Sequence, residues 1–225
     1  RLKNPKTREK IKKETMDGID GLPQRWETIV VSSVKNPKNK NVIGLSIEEI
    51  AKKRNLDIGE TVMQLTEEEQ AVVSVIFHNR VEEHIQCFMD HRLAMFGSDG
   101  NAVSKEGFYK DGKPHPRFYG TFPRILGRYI REKRSSLSLE EAIHKMTGFP
   151  AWRLGLKQRG EIRKNYIADL TIFNPNTVKD LATFENPHQY SIGIQYVIVN
   201  GEVVVSNGIH TKKTPGKVLR RSQSS

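Results

Sequence analysis

Cysteine is almost absent from this sequence, since Cys87 is the single one among 225 residues. One thiol cannot close an internal disulfide, so a small secreted fold held together by disulfides is excluded. Cys87 lies in the segment 81–89, whose apolar residues follow an amphipathic helical pattern. We therefore interpret Cys87 as a small core residue rather than a nucleophile.

Membrane and cofactor signals are lacking as well. No apolar run is long enough to cross a bilayer and no signal segment stands at the start, which predicts a cytoplasmic protein without a membrane partner. There is no phosphate-binding loop, no dinucleotide glycine motif, no paired-cysteine metal pattern, and neither His-x-His nor His-x-x-x-His-Glu. Because the chain begins at Arg1, we interpret it as processed or as the C-terminal piece of a longer protein.

Acidic residues are outnumbered, which gives a formal net charge of +11. A strongly basic chain can indicate an anionic partner such as nucleic acid. Here the basic residues cluster at 1–13, 35–40 and 212–221, with few aromatic residues between them. This distribution favours a basic solvated surface over nucleic-acid binding.

Strand and helix patterns alternate through residues 1–159, and they predict an α/β fold. Two capping boxes, Ser46 with Glu49 and Ser138 with Glu141, mark helix starts. The apolar run 71–77 suits a strand covered on both faces of a parallel sheet, with right-handed crossovers to its neighbours. The remaining predictions are a β-rich segment at 26–33, a strand ending at Asp99, and helices over 46–54, 58–69, 81–89, 122–132 and 138–154.

The pattern changes to β at about Gly160. Asn200-Gly201 between two apolar runs predicts a hairpin with a type I′ turn. We expect residues 160–216 to form a small antiparallel portion and residues 217–225 to form a basic, mobile tail.

Asp99 is the strongest candidate for a catalytic group. It follows an apolar segment in Met95-Phe96-Gly97-Ser98-Asp99-Gly100, and the carboxyl ends of parallel barrel strands form the rim of an active site. A carboxylate there could ligate a metal ion or carry a proton. A turn cap explains an aspartate before glycine equally well.

Three further candidates follow in the segment 115–124. Arg117 has a planar guanidinium that suits a carboxylate, although a surface arginine that caps a loop fits as well. His115 could bind substrate or metal or be a plain loop residue, and Tyr119 could pack or hydrogen-bond. The other histidines in the central region, His78, His84, His91 and His144, have no metal-binding spacing that we recognise.

These motifs resemble, in their order along the chain, the C-terminal half of the N-acyl-D-amino-acid deacylases, or D-aminoacylases, of the amidohydrolase superfamily. The similarity extends from Val72 to Arg220 and is less distinctive up to Ser33. The segments that carry it are Gly97-Ser98-Asp99-Gly100, 115–127, 145–151, 168–175, 183–190 and Val199-Asn200-Gly201.

The resemblance implies a metal-dependent (β/α)₈ TIM barrel followed by a small antiparallel β-sandwich portion. It also implies that Asp99 takes a proton from a zinc-bound water and passes it to the leaving amine. Arg117 would pair with the α-carboxylate of an N-acyl-D-amino acid, with Tyr119 and His115 as neighbouring substrate contacts. Zinc would polarise the amide carbonyl.

The resemblance also shows what this sequence does not contain. The family's histidine and cysteine zinc ligands come from earlier barrel strands, so we expect the N-terminal half of the same barrel as the partner. Asp99 would be at most a secondary ligand, and the chain alone would be inactive. The alternatives are a cyclic amidohydrolase, similar to dihydroorotases or hydantoinases, and a non-catalytic basic binding remnant.

Overall fold

The structure is a computed structural model that describes residues 1–18, 24–107 and 110–220. They form two compact units, each built from segments that are separate in the sequence. The first unit comprises Arg1–Arg80, Ser104–His115 and Phe184–Pro187, and the second comprises Val81–Val103, Pro116–Thr183 and His188–Ser225, whose last five residues lie outside the described ranges.

In the described residues, the first unit contains three α-helices, two 3-10 helices (Trp26–Thr28 and Pro37–Val42) and a two-stranded sheet. The predicted capping box is formed at the start of the second helix. Ser46 Oγ accepts from the Glu49 N–H, and the Glu49 carboxylate accepts from the Ser46 N–H. The elements are α1 (Pro5–Asp17), β1 (Ile29–Val34), α2 (Ile47–Arg54), α3 (Ile58–Glu68) and β2 (Val73–Phe77). The core consists of Ile29, Val31, Val42, Ile47, Ile50 and Leu65.

The sheet of this unit differs from the prediction. Strand β2 forms within the expected apolar run, but it pairs antiparallel with β1, so the predicted parallel arrangement is wrong here. The prediction that β2 is covered on both faces is also wrong, because Ser74 and Phe77 are exposed. A short apolar strand can pair in either direction, and direction depends on how the intervening helices return the chain.

A buried carboxylate fixes the loop after β1. Glu69, which is 1% exposed, accepts hydrogen bonds from the backbone N–H groups of Lys35 and Asn36 and from Asn39 Nδ2. Burial by itself raises the pKa of Glu69, but the three hydrogen bonds and the charge of Arg54 outweigh it, so the pKa is lowered from 4.5.

We expect Glu69→Ala to lower the free energy of unfolding by about 1–3 kcal/mol, because three donors lose their acceptor. Because the pKa is lower in the folded state, the stabilisation is complete above the unfolded-state value of 4.5 and is lost as the pH falls through the folded-state value. Urea unfolding at neutral and acidic pH measures both effects. Glu48→Gln, which alters an exposed carboxylate of the same unit, is the control. Equal stability of Glu69→Ala and Glu48→Gln at neutral pH would contradict this account.

The second unit begins with a group of helices. Its core cluster is Met89 from the helix Glu82–Asp90 with Ile125 and Tyr129 from the π-helix Ile125–Arg131, and Met146 packs against it. The predicted helix over 122–132 instead begins at Arg117, directly after Pro116, whose ring presets a helical φ. The elements are α4 (Glu82–Asp90), α5 (Arg117–Arg124), a π-helix (Ile125–Arg131), α6 (Leu139–Met146) and α7 (Gly148–Leu154).

The helix predicted over 138–154 is two helices. The capping box of Ser138 and Glu141 is formed as expected, but the chain turns at Thr147, where φ is −130° and ψ is −83°. Pro150 has no N–H for the Met146 carbonyl and its ring would clash there, so a continuous helix is disfavoured.

The predicted strand that ends at Asp99 is not formed. Residues 94–100 have no strand hydrogen-bond pattern, and Phe96 N–H donates instead to the carbonyl of Lys145 at 3.0 Å. A strand needs a neighbour that accepts its N–H groups, and the described residues provide no second strand at this place. The closed barrel therefore stays a prediction.

Cys87 is exposed, so its interpretation as a core residue is wrong. Helix α4 packs through Met89, with partly buried Ile85 one turn earlier. Cys87 lies between them in sequence, and residues two apart on a helix face different directions.

The β portion follows the sequence closely. Asn200 and Gly201 have φ of 48° and 81°, as a type I′ turn requires, and they join the two central strands. The sheet has the antiparallel order β3 (Leu170–Phe173), β4 (Ile194–Val199), β5 (Glu202–Ser206) and β6 (Ile209–His210). Residues 221–225 of the predicted tail lie outside the described part of the chain.

Candidate active site

Asp99 lies in an irregular segment of the second unit. Its backbone has φ of 46°, in the left-handed region that aspartate tolerates better than most residues. The side chain is 89% exposed. The carboxylate therefore lies on the surface of the second unit.

Arg117 is the first residue of α5 and contacts Asp99 in two ways. Arg117 Nη2 lies 3.1 Å from Asp99 Oδ2, and Arg117 Nε donates to the Asp99 carbonyl at 2.8 Å. The structure thus brings together the two residues that the sequence analysis placed at the centre of the site. An ion pair this exposed contributes at most about 1 kcal/mol, so another carboxylate can replace Asp99 at Arg117 at little cost.

Tyr119 lies on the same helix but has different neighbours. Its hydroxyl oxygen is 3.0 Å from His188 Nδ1, and its ring centroid is 5.9 Å from that of Tyr190. Burial, with a smaller contribution from Tyr190, raises the pKa of Tyr119, so the phenol keeps its proton at neutral pH. Since residues two apart on a helix do not face each other, α5 presents Arg117 and Tyr119 to separate surroundings.

His188 and Tyr190 were not predicted as site residues, although both belong to a segment that carries the family resemblance. Neither lies in a periodic pattern or a metal-binding spacing. Their contact with Tyr119 arises from a fold that joins residues about seventy positions apart.

His115 belongs to the first unit. Its ring packs edge-on against Phe184, with centroids 5.0 Å apart, and His78 packs on the same Phe184 at 4.4 Å. Within residues 1–18, 24–107 and 110–220, no group of three or more His, Cys, Asp or Glu side chains could hold a metal ion. These residues therefore do not form a zinc site by themselves.

The family model for the amidohydrolase family matches residues 54–205. The chain belongs to the amidohydrolase family. The match includes Asp99, Arg117, Tyr119 and most of the β portion of this amidohydrolase. It therefore covers the candidate site and strands β3, β4 and nearly all of β5, and it ends before β6.

Two curated relatives come from Alcaligenes xylosoxydans xylosoxydans. A D-aminoacylase is 38% identical over 80% of this amidohydrolase and 34% of its own length. An N-acyl-D-glutamate deacylase is 34% identical over 94% of this chain and 38% of its own length. The amidohydrolase chain thus spans little more than a third of these relatives.

A solved structure gives the same relationship. The N-acyl-D-glutamate deacylase from Bordetella bronchiseptica, complexed with zinc and a phosphonate mimic of the tetrahedral intermediate, is 32% identical. Its TM-score is 0.69, over 80% of this amidohydrolase and 35% of that chain. In the part of the chain that the structure describes, no helix is both long and apolar enough to cross a membrane.

Proposed function

We propose that this chain is the C-terminal portion of a zinc-dependent deacylase, which hydrolyses N-acyl-D-amino acids to a D-amino acid and a carboxylic acid. The proposal assigns residues 1–159 to the barrel and 160–216 to the β-sandwich portion. The observation that carries it is the pairing of Asp99 with Arg117, in a chain whose relatives act on N-acyl-D-amino acids.

Asp99 carries a proton in this proposal. Amide hydrolysis adds the oxygen of water to the carbonyl carbon, breaks the C–N bond and requires a proton on the leaving nitrogen. The exposed carboxylate of Asp99 takes a proton from the attacking water and returns it to that nitrogen.

Arg117 binds the α-carboxylate of the substrate. Its guanidinium already accommodates a carboxylate, that of Asp99, and two parallel N–H groups bind such a group with fixed orientation. When the substrate takes this place, Asp99 is released toward the reacting amide. His115 and Tyr119 are proposed as further substrate contacts.

Zinc is held mainly by residues outside this chain, with Asp99 at most a secondary ligand. The metal supplies polarisation of the amide carbonyl when it is bound.

The partner that we propose is the N-terminal half of the same barrel. Around α4 the second unit exposes several large apolar side chains, and Phe88 is 74% exposed. A contiguous exposed apolar patch can mark a surface that other protein covers. The further exposed residues of this region are Val81, Leu93 and Met95.

The test compares the chain alone with an assembled protein, in which the chain follows the N-terminal part of the D-aminoacylase relative. We expect bound zinc and hydrolysis of N-acetyl-D-amino acids in the assembled protein, and neither in the chain alone. An assembled protein that binds zinc but prefers cyclic amides would contradict the substrate assignment. Neither zinc nor hydrolysis in an assembled protein that folds would contradict the deacylase function.

A further inference from the structure

The connection between β3 and β4, residues 174–193, contacts helix α5 at several points. Asp180, whose side chain is 12% exposed, accepts a hydrogen bond from Arg124 Nη1 at 3.0 Å. Its Cβ also lies so close to α5 that a Cβ at Gly120 would be 2.6 Å away. The two contacts, one ionic and one of close packing, fix Asp180 against the middle and the end of the helix.

A second contact compensates for a proline. Pro123 lies inside α5 and has no N–H to donate to the carbonyl of Tyr119, four residues earlier. Ser191 Oγ donates to that carbonyl at 3.1 Å. The β3–β4 connection therefore supplies the hydrogen bond that the helix itself cannot make, and a partly buried carbonyl remains paired.

A third contact involves Tyr119, two residues after Arg117 on the same helix. His188 Nδ1 and the Tyr119 hydroxyl are 3.0 Å apart, so the same connection also binds a side chain of α5. The contacts of Asp180, His188 and Ser191 together restrain the helix along its length. The helix begins with Arg117, so its position determines where the guanidinium lies.

We propose that Asp180 is a positioning residue for Arg117: through Arg124 and Gly120 it holds α5 where the guanidinium meets the substrate carboxylate. The proposal rests on the deacylase function proposed above. It gives the β portion of the chain a role in substrate binding, although Asp180 does not touch the substrate. A shift of about 1 Å in a binding group can cost a large part of an enzyme's efficiency.

The test measures kcat and KM of the assembled protein for an N-acetyl-D-amino acid. We expect Asp180→Ala to raise KM about 10-fold, because the carboxylate anchor is displaced. The kcat at saturating substrate should stay within about two-fold, since the loss concerns binding. Asp180→Asn keeps the shape and one acceptor for Arg124, and it should restore most of the affinity.

The decisive comparison is a double-mutant cycle with Arg117→Met. If Asp180 acts through Arg117, then Asp180→Ala adds nothing to KM once Arg117 is gone. A rise in KM that persists in the Arg117→Met background would overturn the proposal. So would an unchanged KM in Asp180→Ala.

A matched control separates positioning from general destabilisation. Asp169 pairs with Arg159 and accepts from the Asn200 N–H, and none of these lies on α5. We expect Asp169→Ala to leave KM unchanged, and an equal rise in both variants would overturn the proposal. If Asp180→Ala does not fold, Ser191→Ala replaces it, with a smaller rise in KM expected and an unchanged KM as the contradicting result.

The outcome also separates this proposal from the function on which it rests. No hydrolysis by the assembled protein without substitutions would overturn the deacylase function and the positioning role together. Hydrolysis by that protein, without coupling between Asp180 and Arg117, would overturn the positioning role alone.

Discussion

Asp99→Asn in the assembled protein is expected to lower kcat for N-acetyl-D-amino acids by about 10²- to 10⁴-fold, the usual effect of losing a general acid–base group. The amide has nearly the shape of the carboxylate but cannot accept and return the proton. Because the Asn side chain also loses its charge, it competes less with the substrate for Arg117. We therefore expect KM to stay constant or fall.

Steady-state kinetics with a dilution series of substrate measures both parameters. The control is Glu161→Gln, which neutralises another exposed carboxylate paired with an arginine, Arg163, in the same unit. This control should behave like the unsubstituted protein. A kcat for Asp99→Asn within a few-fold of the reference would mean that Asp99 only shapes the turn before Gly100.

The second large effect concerns Arg117. We expect Arg117→Met to raise KM by about 10- to 100-fold, because a hydrogen bond between charged groups contributes about 1.5–3 kcal/mol. Arg117→Lys keeps the charge but loses the planar pair of donors, so its KM should lie between that of the unsubstituted protein and that of Arg117→Met. The kcat should change much less, since the α-carboxylate is bound in the ground state and in the transition state alike.

The matched control for this prediction is a substrate. The primary carboxamide of the same N-acetyl-D-amino acid has no negative charge for Arg117 to bind. Its KM should be high with the unsubstituted protein and nearly insensitive to Arg117→Met. Equal losses with the acid and the carboxamide would indicate that Arg117 acts by capping the Asp99 loop, through its bond to the Asp99 carbonyl.

Features that depend on a few neighbouring residues could be predicted from the sequence. The capping boxes at Ser46 and Ser138 and the Asn200-Gly201 turn formed as expected, because each is decided within four residues. Strand pairing is decided at long range, and two of the strand predictions in the α/β part were wrong, whereas the antiparallel pairing after Gly160 was confirmed. Strand β2 runs antiparallel to β1, and the segment before Asp99 has no partner strand in the described part of the chain.

The candidate site likewise combines residues that could be predicted from the sequence with residues that could not. The resemblance led to Asp99 and Arg117, and their contact confirms that the two residues lie together in the structure. Their chemical roles remain predictions. His188, Ser191 and Asp180 could not be found this way, because their relation to α5 depends on how the β3–β4 connection crosses the helix.

The exposed position of Cys87 makes this chain a convenient subject for labelling. The sequence holds a single thiol, and in this chain it is an exposed residue of α4. A maleimide-linked fluorophore or spin label can therefore be attached to the chain at one known position without mutagenesis. The same accessibility exposes the thiol to oxidation and to covalent dimerisation during purification, so a reducing buffer is advisable until the label is attached.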